Sequence, residues 1–356
     1  RCPYGFLAIS ESLNPGGEGL LRVGSWSGHG STVGTLERHS SPTIDEPWAR
    51  PEVASLINSR GEHSSMTTYL IDASPYIFRA HFSMPSSLVD PEGRAAGATH
   101  GFSSFLLKLL AQEEPPHLAV AFDGSLTTSF RNELYPDYKA KRETPPAELT
   151  AQLDNCRRVA ECLGMATFID DRFEADDLIG TLAALPSVAA HESVIVTSVK
   201  DLAQLVSDRV TLLDFARETH YSIHGVEEKF GVRPDQIVDL LALAGDTVDN
   251  IPGVRGVGAK TAVALLRAFG DLETLYERLD EVPELPIRGA SSVRAKLEKG
   301  REMAFLSQEL ATVHCQIPLE VSLEDLAYQG ADRDCAEALF AELGFDRIRQ
   351  RITHWR

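Results

Sequence analysis

From residue 66 to about residue 221, short apolar runs alternate with longer helical stretches, and this alternation limits the fold more than any other feature. Such alternation is typical of a mainly parallel sheet with helices on both faces. Strands are predicted at Tyr69–Ile71, Leu118–Phe122, Val194–Thr197 and Val210–Leu213, and helices at Gly101–Ala111 and Ala147–Leu163. The sequence therefore predicts an α/β domain over residues 66–235.

After Tyr221 the strand pattern fades and helical segments dominate. These segments are predicted at Val226–Phe230, Gln236–Ala244, Ala259–Phe269, Leu272–Leu279, Arg294–Lys299 and Cys335–Leu343. A helical pattern that follows an α/β pattern indicates a second domain. We predict that this helical domain spans residues 236–345.

The first 65 residues differ from the rest of the chain in composition. They are rich in Gly, Ser, Pro and Glu and show little periodicity, which predicts a disordered extension. Met66 stands directly before the first convincing strand and is interpreted as the natural start of the protein. A functional tail is the alternative interpretation of this stretch.

Composition narrows the class of protein. No apolar run approaches the ~20 residues that span a bilayer, so no membrane segment is expected. The five cysteines are odd in number and form no Cys-x-x-Cys pair, which indicates reduced thiols in a cytoplasmic protein, without a disulfide framework or a zinc site. The net charge of −18 argues against a nucleic-acid partner unless the acidic residues gather around metal ions.

Several carboxylates stand where predicted strands end or helices begin or end. They are Asp72, Asp123, the run Glu174-Ala175-Asp176-Asp177, Asp201, Asp246 and Asp249. Each alone is compatible with an ordinary turn or helix cap. Because strand ends meet at one edge of such a sheet, the set would repel itself without a cation. Oxygen ligands favour Mg²⁺ or Mn²⁺, and two such ions are suited to phosphodiester hydrolysis.

Two further segments are suited to DNA. In the glycine-rich stretch from Ile251 to Ala262, a helix start near Ala259 would hold a phosphate, with Lys260 adding charge. No strand precedes this stretch, so a dinucleotide-binding loop is excluded, and a plain turn is the alternative. The segment 129–142 mixes Arg and Lys with aromatic rings, which suits a nucleic-acid backbone. A solvated basic loop is the alternative there.

These motifs together resemble the bacterial 5′→3′ exonuclease and flap endonuclease family, which includes the N-terminal nuclease domain of DNA polymerase I. The motifs that carry the resemblance are Leu70–Ser74, Ala121–Asp123, Ser129–Arg131, Tyr138–Arg142, Glu174–Asp177, Lys200–Leu202, Gly245–Gly253 and Gly256–Ala262. The resemblance implies a PIN-like α/β core and a helical helix-three-turn-helix domain. It also implies that the substrates are DNA with 5′ ends, nicks, gaps or flaps. Because the chain stops soon after the nuclease region, we expect a stand-alone nuclease without a polymerase domain, and we expect a monomer.

The resemblance also implies roles for individual residues. The first metal ion would be held by Asp72, Asp123, Glu174, Asp176 and Asp177, and the second by Asp201, Asp246 and Asp249. The catalytic basic residues would be Arg131, Lys139 and Arg142. DNA would be bound by Tyr138, Lys141, Lys200, Gly253, Gly256, Gly258, Lys260 and Thr261. The cofactors would be two Mg²⁺ or Mn²⁺ ions, with K⁺ a further candidate at the helix-three-turn-helix, and no nucleotide cofactor or membrane is expected.

One position departs from the family pattern. The family has Asp-Lys-Asp where this chain reads Val199-Lys200-Asp201, so an expected metal ligand is a valine. Valine cannot coordinate a metal, which predicts a weaker second site. The alternative functions are therefore a branched-DNA-binding protein with weakened catalysis and, with less support, a PIN-type ribonuclease.

Overall fold

The computed structural model describes residues 66–125, 128–142 and 144–356. The extension predicted over residues 1–65 and Cys2 lie outside the described residues. In the part of the chain that is described, no helix is long and apolar enough to cross a membrane.

A mostly parallel, twisted sheet forms the centre of the molecule. Its strands are β1 (Thr68–Asp72), β2 (His117–Asp123), β3 (Ala166–Asp170), β4 (Ser193–Val196), β5 (Val210–Asp214) and β6 (Thr219–Tyr221). Their order across the sheet is β3-β2-β1-β4-β5-β6, and only β6 runs antiparallel to its neighbour. The chain builds outward from β1 in both directions, so the topological switch point lies between the carboxyl ends of β1 and β4, with the end of β2 next to it.

The helices cover both faces of the sheet and make up the second part of the chain. Those within the sheet region are α1 (Ala73–Ser83), α2 (Gly97–Glu113), α3 (Phe130–Leu134), α4 (Ala147–Cys162), α5 (Ala175–Ala184) and α6 (Pro186–Ala189). Those that follow are α7 (Ile223–Phe230), α8 (Ile237–Ala244), α9 (Ala259–Phe269), α10 (Leu272–Glu277), α11 (Ala290–Lys299), α12 (Arg301–Ala311), α13 (Arg333–Glu342) and α14 (Asp346–Arg349). Short 3₁₀ turns occur at Asp201–Leu205, Pro234–Gln236, Leu279–Glu284 and Glu324–Leu326.

The predicted fold class, a mainly parallel sheet flanked by helices and followed by helices alone, is confirmed. The sequence did not predict β3, whose residues are only partly buried at the edge of the sheet and so carry no continuous apolar run. It also missed α12, whose buried face is made of Ala304, Ser307, Leu310 and Ala311, because small and polar side chains produce a weak apolar stripe.

Alternate residues of the strands belong to two separate hydrophobic clusters, one on each face of the sheet. On one face, Leu70, Ala121 and Ile195 pack with the helical part of the chain around α8, α9 and α12. On the other face, Ile71 and Val120 pack with α1, α2 and α4. The period of two along each strand thus assigns opposite faces of the sheet to different helices.

The last helices of the described chain pack on the face of the sheet that α1, α2 and α4 cover. Residues of α13 and α14 such as Leu339, Phe340 and Ile348 pack in the same cluster as α2 and α4. A disulfide joins Cys162 at the end of α4 to Cys335 in α13. The prediction that all cysteines are reduced thiols is therefore wrong for this pair, because the return of the chain brings together two residues 173 positions apart. Cys156 and Cys315 are free thiols.

Candidate active site

Two predicted ligands end neighbouring strands at the carboxyl edge of the sheet. Asp72 is the last residue of β1 and pairs in register with Ala121, two residues before Asp123 at the end of β2. Thr197 Oγ1 donates a hydrogen bond to Asp72 Oδ2 at 2.8 Å. Ser74 Oγ donates to Asp123 Oδ2 at 2.6 Å, which orients the second carboxylate. Parallel register therefore brings the two carboxylates to one edge.

Helix α5 begins at this edge and adds Asp176 to the pair. Its first backbone N–H, that of Ala175, donates to Asp123 Oδ1 at 2.9 Å. Burial and the charge of Asp123 raise the pKa of Asp72 to about 7. Burial and the charges of Asp72 and Asp201 raise the pKa of Asp176 well above its usual range. Asp72 and Asp176 therefore resist ionisation because other carboxylates are near and water is scarce.

A second group of carboxylates lies beside the first. Asp201 opens the 3₁₀ turn after β4, and Asp246 and Asp249 lie in the loop that follows α8. Burial and the charges of Asp249 and Asp246 raise the pKa of Asp201 to about 7. Asp201 Oδ1 is buried without a hydrogen-bond partner among the described residues. A buried carboxylate oxygen with no donor is suited to a bound cation.

The loop that carries Asp246 and Asp249 is held in shape by close backbone contacts. Asp246 and Ile251 exchange two backbone hydrogen bonds of 2.8 Å each. Gly245 and Gly253 both have positive φ and pack backbone to backbone, where a Cβ on Gly253 would lie 2.3 Å from the Gly245 nitrogen. Only glycine fits such an approach.

Basic residues of the segment 137–142 neutralise part of the carboxyl edge of the sheet where these carboxylates lie, which we call the acidic edge. Lys139 Nζ lies 2.7 Å from Glu174 Oε1 and 3.9 Å from Asp249 Oδ2, and Arg142 pairs with Asp249 Oδ1. Burial alone would raise the pKa of Asp249, but the charges of Lys139 and Arg142 hold it below its usual value. The segment is anchored by the Lys139 N–H, which donates to the Asp249 carbonyl at 2.8 Å. Tyr138 OH donates to Glu174 Oε2 at 3.1 Å.

Three predicted site residues are placed differently from their predicted roles. Asp177 is fully buried, and both its carboxylate oxygens bond Arg131, at 2.7 and 2.8 Å, and also accept backbone N–H bonds. Both oxygens of Asp177 are therefore occupied, and Arg131 reaches the other proposed ligands only through Glu174, whose Oε2 lies 3.5 Å from Arg131 Nη1. Tyr138 is 4% exposed, so its ring is not available to stack on a base.

Most of the predicted DNA-binding residues lie in the loop before α9 and in the first turn of α9. Gly256 is exposed with a positive φ, and Lys296 Nζ donates to its carbonyl at 3.1 Å. Gly258 is the N-cap of α9, and the exposed Lys260 and half-buried Thr261 lie in the first turn of that helix. Lys141 is exposed, whereas Lys200 pairs with Asp246 at 3.0 Å.

The donor set fits a hard divalent ion. Carboxylates from β1, β2, α5, the turn after β4 and the loop after α8 influence one another's ionisation, and one of their oxygens has no partner. Within the residues that the structure describes, no group of three or more acidic, His or Cys side chains is arranged so that it could hold a metal ion. Glu174 and Asp249 are instead paired with Lys139 and Arg142.

The sequence did not single out several side chains that shape this site. Thr197 and Ser74 orient the first two carboxylates, and Ser307 Oγ accepts the Gly253 N–H at 3.0 Å. Ser74 stands inside the motif Leu70–Ser74, which could have indicated its role. Nothing near Ser307 in the sequence points to residue 253, because the contact is made across 54 positions.

A parallel sheet with an acidic carboxyl edge and an adjoining basic segment is the architecture of a resolvase-like nuclease. Residues 67–231 match the family model for the 5′-3′ exonuclease N-terminal resolvase-like domain, and residues 232–334 match that for the 5′-3′ exonuclease C-terminal SAM fold. The chain belongs to the 5′-3′ exonuclease family, and the resemblance found in the sequence is confirmed.

Curated relatives are DNA polymerases I from bacteria. That of Pseudomonas aeruginosa is 44% identical over 277 residues, which cover 78% of this chain and 30% of the relative. That of Bacillus subtilis is 37% identical over 287 residues, which cover 80% of this chain and 32% of the relative. The chain thus spans about a third of the length of these relatives.

Solved structures share the fold. A T5 5′-exonuclease with bound zinc aligns with a TM-score of 0.57 at 21% identity, covering 80% of this chain and 96% of that one. The catalytic core of Rad2 in complex with a DNA substrate aligns with a TM-score of 0.55 at 16% identity, covering 80% and 90%. At these identities the likeness concerns the fold alone.

Proposed function

We propose that this chain hydrolyses DNA phosphodiester bonds from 5′ ends, as a 5′-3′ exonuclease and structure-specific flap endonuclease with two divalent metal ions. The observation that carries the proposal is the gathering of Asp72, Asp123, Asp176 and Asp201 at the carboxyl edge of the sheet, where Asp201 Oδ1 is buried without a hydrogen-bond partner among the described residues. Such a cluster is costly in a folded protein unless cations complete it.

We assign the ligands in two groups. Asp72, Asp123, Glu174 and Asp176 would hold the first ion, and Asp201, Asp246 and Asp249 the second. Asp177 is left out because Arg131 and backbone N–H groups occupy both its oxygens. When bound, Mg²⁺ or Mn²⁺ would polarise the scissile phosphate and lower the pKa of water at the site.

The chain's own residues would bind and orient the phosphate. Lys139 and Arg142 now pair with Glu174 and Asp249, and in the complex they would exchange these carboxylates for phosphate oxygens. Both side chains are cations that can approach developing negative charge on the phosphate. Thr197 and Ser74 would keep Asp72 and Asp123 oriented through their hydrogen bonds.

The duplex would lie against the start of α9. Gly256 and Gly258 allow close approach of a phosphate, the first turn of α9 offers backbone N–H groups, and Lys260 adds charge. Structural neighbours of this fold include a T5 flap endonuclease in complex with DNA and metal ions. Bound K⁺ at this turn, a monomeric state and a cytoplasmic location stay predictions.

The test is cleavage of a 5′-labelled flap duplex in Mg²⁺ by the full chain. We expect short 5′ products from the wild type and none from Asp123→Ala. Asp208→Ala is the matched control, because Asp208 is an exposed aspartate before β5, at the opposite edge of the sheet. No cleavage by the wild type, or equal cleavage by Asp123→Ala, would overturn the proposal. A matched RNA flap tests the ribonuclease alternative.

A second candidate function is a branched-DNA-binding protein with weakened catalysis, and Val199 is the observation that favours it. The Val199 side chain packs against the buried core and lines a cavity of about 10 Å³, whose other lining residues include Leu212, Tyr221 and Phe230 and the charged Asp214 and Lys229. It therefore contributes apolar contact where the family has a carboxylate. A binding protein would hold flap DNA equally well in Ca²⁺ and Mg²⁺ without cutting it in either.

A further inference from the structure

The C-terminal end of α12, residues 310–314, is bonded by side chains from distant parts of the chain. Arg131 Nε donates to the Leu310 carbonyl at 2.9 Å, and its Nη2 donates to the Thr312 carbonyl at 2.8 Å. Gln204 Nε2 donates to the Ala311 carbonyl at 3.0 Å, and Gln204 Oε1 accepts the Val313 N–H at 2.9 Å. We refer to residues 310–314 as the α12 terminus.

The same terminus also contacts α5. Asp177 Oδ1 accepts the His314 N–H at 2.8 Å, and Thr181 Oγ1 donates to the His314 carbonyl at 3.2 Å. The last carbonyls of a helix have no partners within the helix, so some external donor is required here. In most helices water or a local residue serves this purpose. At the α12 terminus the donors are instead side chains of α3, α5 and the turn after β4.

Two of these side chains, Asp177 and Gln204, are near neighbours of proposed metal ligands. Asp177 directly follows Asp176 on α5. Gln204 lies three residues after Asp201, and its Nε2 also donates to the Asp201 carbonyl at 2.9 Å. The α12 terminus therefore contacts an element of the first ligand group and an element of the second.

Nearer the N-terminal end of α12, Ser307 contacts the loop after α8, which carries the remaining proposed ligands. Its fully buried Oγ accepts the N–H of Gly253, which closes the loop that carries Asp246 and Asp249. One helix thus bonds α5, the turn that begins at Asp201 and the loop after α8.

The Arg131–Asp177 ion pair strengthens the link between α12 and α5. Arg131 is 2% exposed, and a buried guanidinium needs both a counter-ion and acceptors for its remaining N–H groups. Asp177 supplies the charge, and the α12 terminus supplies the carbonyls. A cation at the C-terminal end of a helix is also favoured by the helix dipole.

We infer that α12 is the scaffold that sets the spacing between the two groups of carboxylates, with Arg131 and Gln204 as positioning residues. This inference rests on the proposed function, because it gives these residues their effect through the metal ligands. Neither residue touches the reacting phosphate. Their contribution is to fix the elements that carry Asp176 and Asp201 relative to each other.

The test compares two glutamine variants of the full chain. Gln204→Leu removes the bonds to the α12 terminus, whereas Gln236→Leu is the matched control. Gln236 also uses its buried amide to bond the carbonyls at a helix end, those of Leu266 and Gly270 at the end of α9. Mn²⁺ binding is measured by calorimetry without DNA, alongside the urea midpoint of each variant.

We expect Gln204→Leu to weaken Mn²⁺ binding about tenfold or more, as is usual when the support of a metal ligand is lost. Gln236→Leu should keep wild-type Mn²⁺ affinity while losing a similar amount of stability. Arg131→Lys, which keeps the charge but not the forked geometry, should resemble Gln204→Leu. These effects would support a positioning role, since general destabilisation would act on both glutamine variants alike.

Equal Mn²⁺ affinities for Gln204→Leu and the wild type, or equal losses in the two glutamine variants, would overturn the inference. The proposed function can fail separately. If the wild type binds Mn²⁺ but cuts no flap, hydrolysis is excluded while the Mn²⁺ comparison still decides the role of α12. If the wild type binds no Mn²⁺, both are overturned.

Discussion

Lys139 Nζ lies 2.7 Å from Glu174 Oε1, so a residue predicted to act on the phosphate neutralises a residue predicted to bind a metal. Both side chains are largely buried, and the backbone of Lys139 has a positive φ of 55° at this contact. A non-glycine residue in that conformation must be held by its surroundings. The contact therefore couples the basic segment to the acidic edge, and it suggests the first prediction.

We predict that Lys139→Met slows flap cleavage about 100-fold at saturating DNA, because one cation near the developing charge is lost. Divalent ions should bind more tightly to this variant, since Glu174 no longer has a competing ammonium. Single-turnover cleavage and Mn²⁺ titration measure the two effects. Lys108→Met is the control, because Lys108 is exposed on α2 and its ion pair is with the exposed Glu218, outside the site. Equal loss of rate in both variants would contradict the prediction.

Val199 gives a second prediction. Val199→Asp should add a carboxylate near Asp201, which lowers stability without metal because of repulsion and increases the stabilisation by Mg²⁺. The measurement is the rise in melting temperature on adding Mg²⁺, together with the Mg²⁺ concentration that gives half-maximal cleavage. Val199→Asn controls for the loss of apolar packing alone. If Val199→Asp and Val199→Asn respond alike to Mg²⁺, the valine is a tolerated variant.

The raised pKa of Asp201 predicts how the stability of the metal-free protein depends on pH. Its pKa rises from an ordinary 3.8 to about 7 on folding, so between these values the folded state binds a proton that the unfolded state has released. The free energy of unfolding therefore falls as pH rises through this window. Asp201→Asn removes this contribution from that residue.

Urea unfolding in EDTA at about pH 5 and about pH 8 measures the effect. At the lower pH only the first part of the window from 3.8 to about 7 has been crossed, so the variant should be more stable than the wild type by only a small margin. At the higher pH the variant should be the more stable of the two. A difference in the free energy of unfolding between the variant and the wild type that does not change with pH would refute the prediction. Saturating Mg²⁺ should reduce that difference.

The two glycines on either side of the turn before α9 should differ in their tolerance of alanine. Gly253→Ala should destabilise the protein by at least about 1–3 kcal/mol, because φ is positive and the new Cβ would meet the Gly245 backbone. Gly258→Ala should cost less than about 1 kcal/mol, because a Cβ there meets nothing within 4 Å. Denaturant unfolding measures the loss of stability in both variants. Similar losses of stability would show that the backbone around residue 253 can move to make room for the new Cβ.

The Cys162–Cys335 disulfide predicts sensitivity to reductant. Removing a disulfide that closes a long loop costs about 2–5 kcal/mol in typical cases, so reduction should lower the melting temperature of the wild type. Cys162→Ser should melt at the same temperature with and without reductant. Mass spectrometry after alkylation without reduction should find both cysteines unlabelled in the wild type, and full labelling would contradict the pairing.

The sequence predicted those parts of the site that depend on local pattern. Asp72 and Asp123 could be placed at one edge because each ends a strand and parallel strands end together. The bounds of α9 were predicted to the residue, since Gly258 and Gly270 flank a clear apolar period. The roles of Arg131, Asp177 and Tyr138 could not be predicted in this way. Each depends on burial, and burial arises from contacts such as that between Arg131 and Leu310, 179 positions apart.

The amino-acid sequence by itself thus determined the fold class, the family and the residues that supply negative charge, because periodicity and motif spacing are local properties of a chain. Only the tertiary structure decided how those charges are balanced. It paired Asp177 with Arg131 inside the protein, paired Glu174 and Asp249 with Lys139 and Arg142 at the edge, and left Asp201 Oδ1 without a partner among the described residues. The physical reason is that the ionisation of a carboxylate depends on its desolvation and on neighbouring charges, and folding alone brings these together.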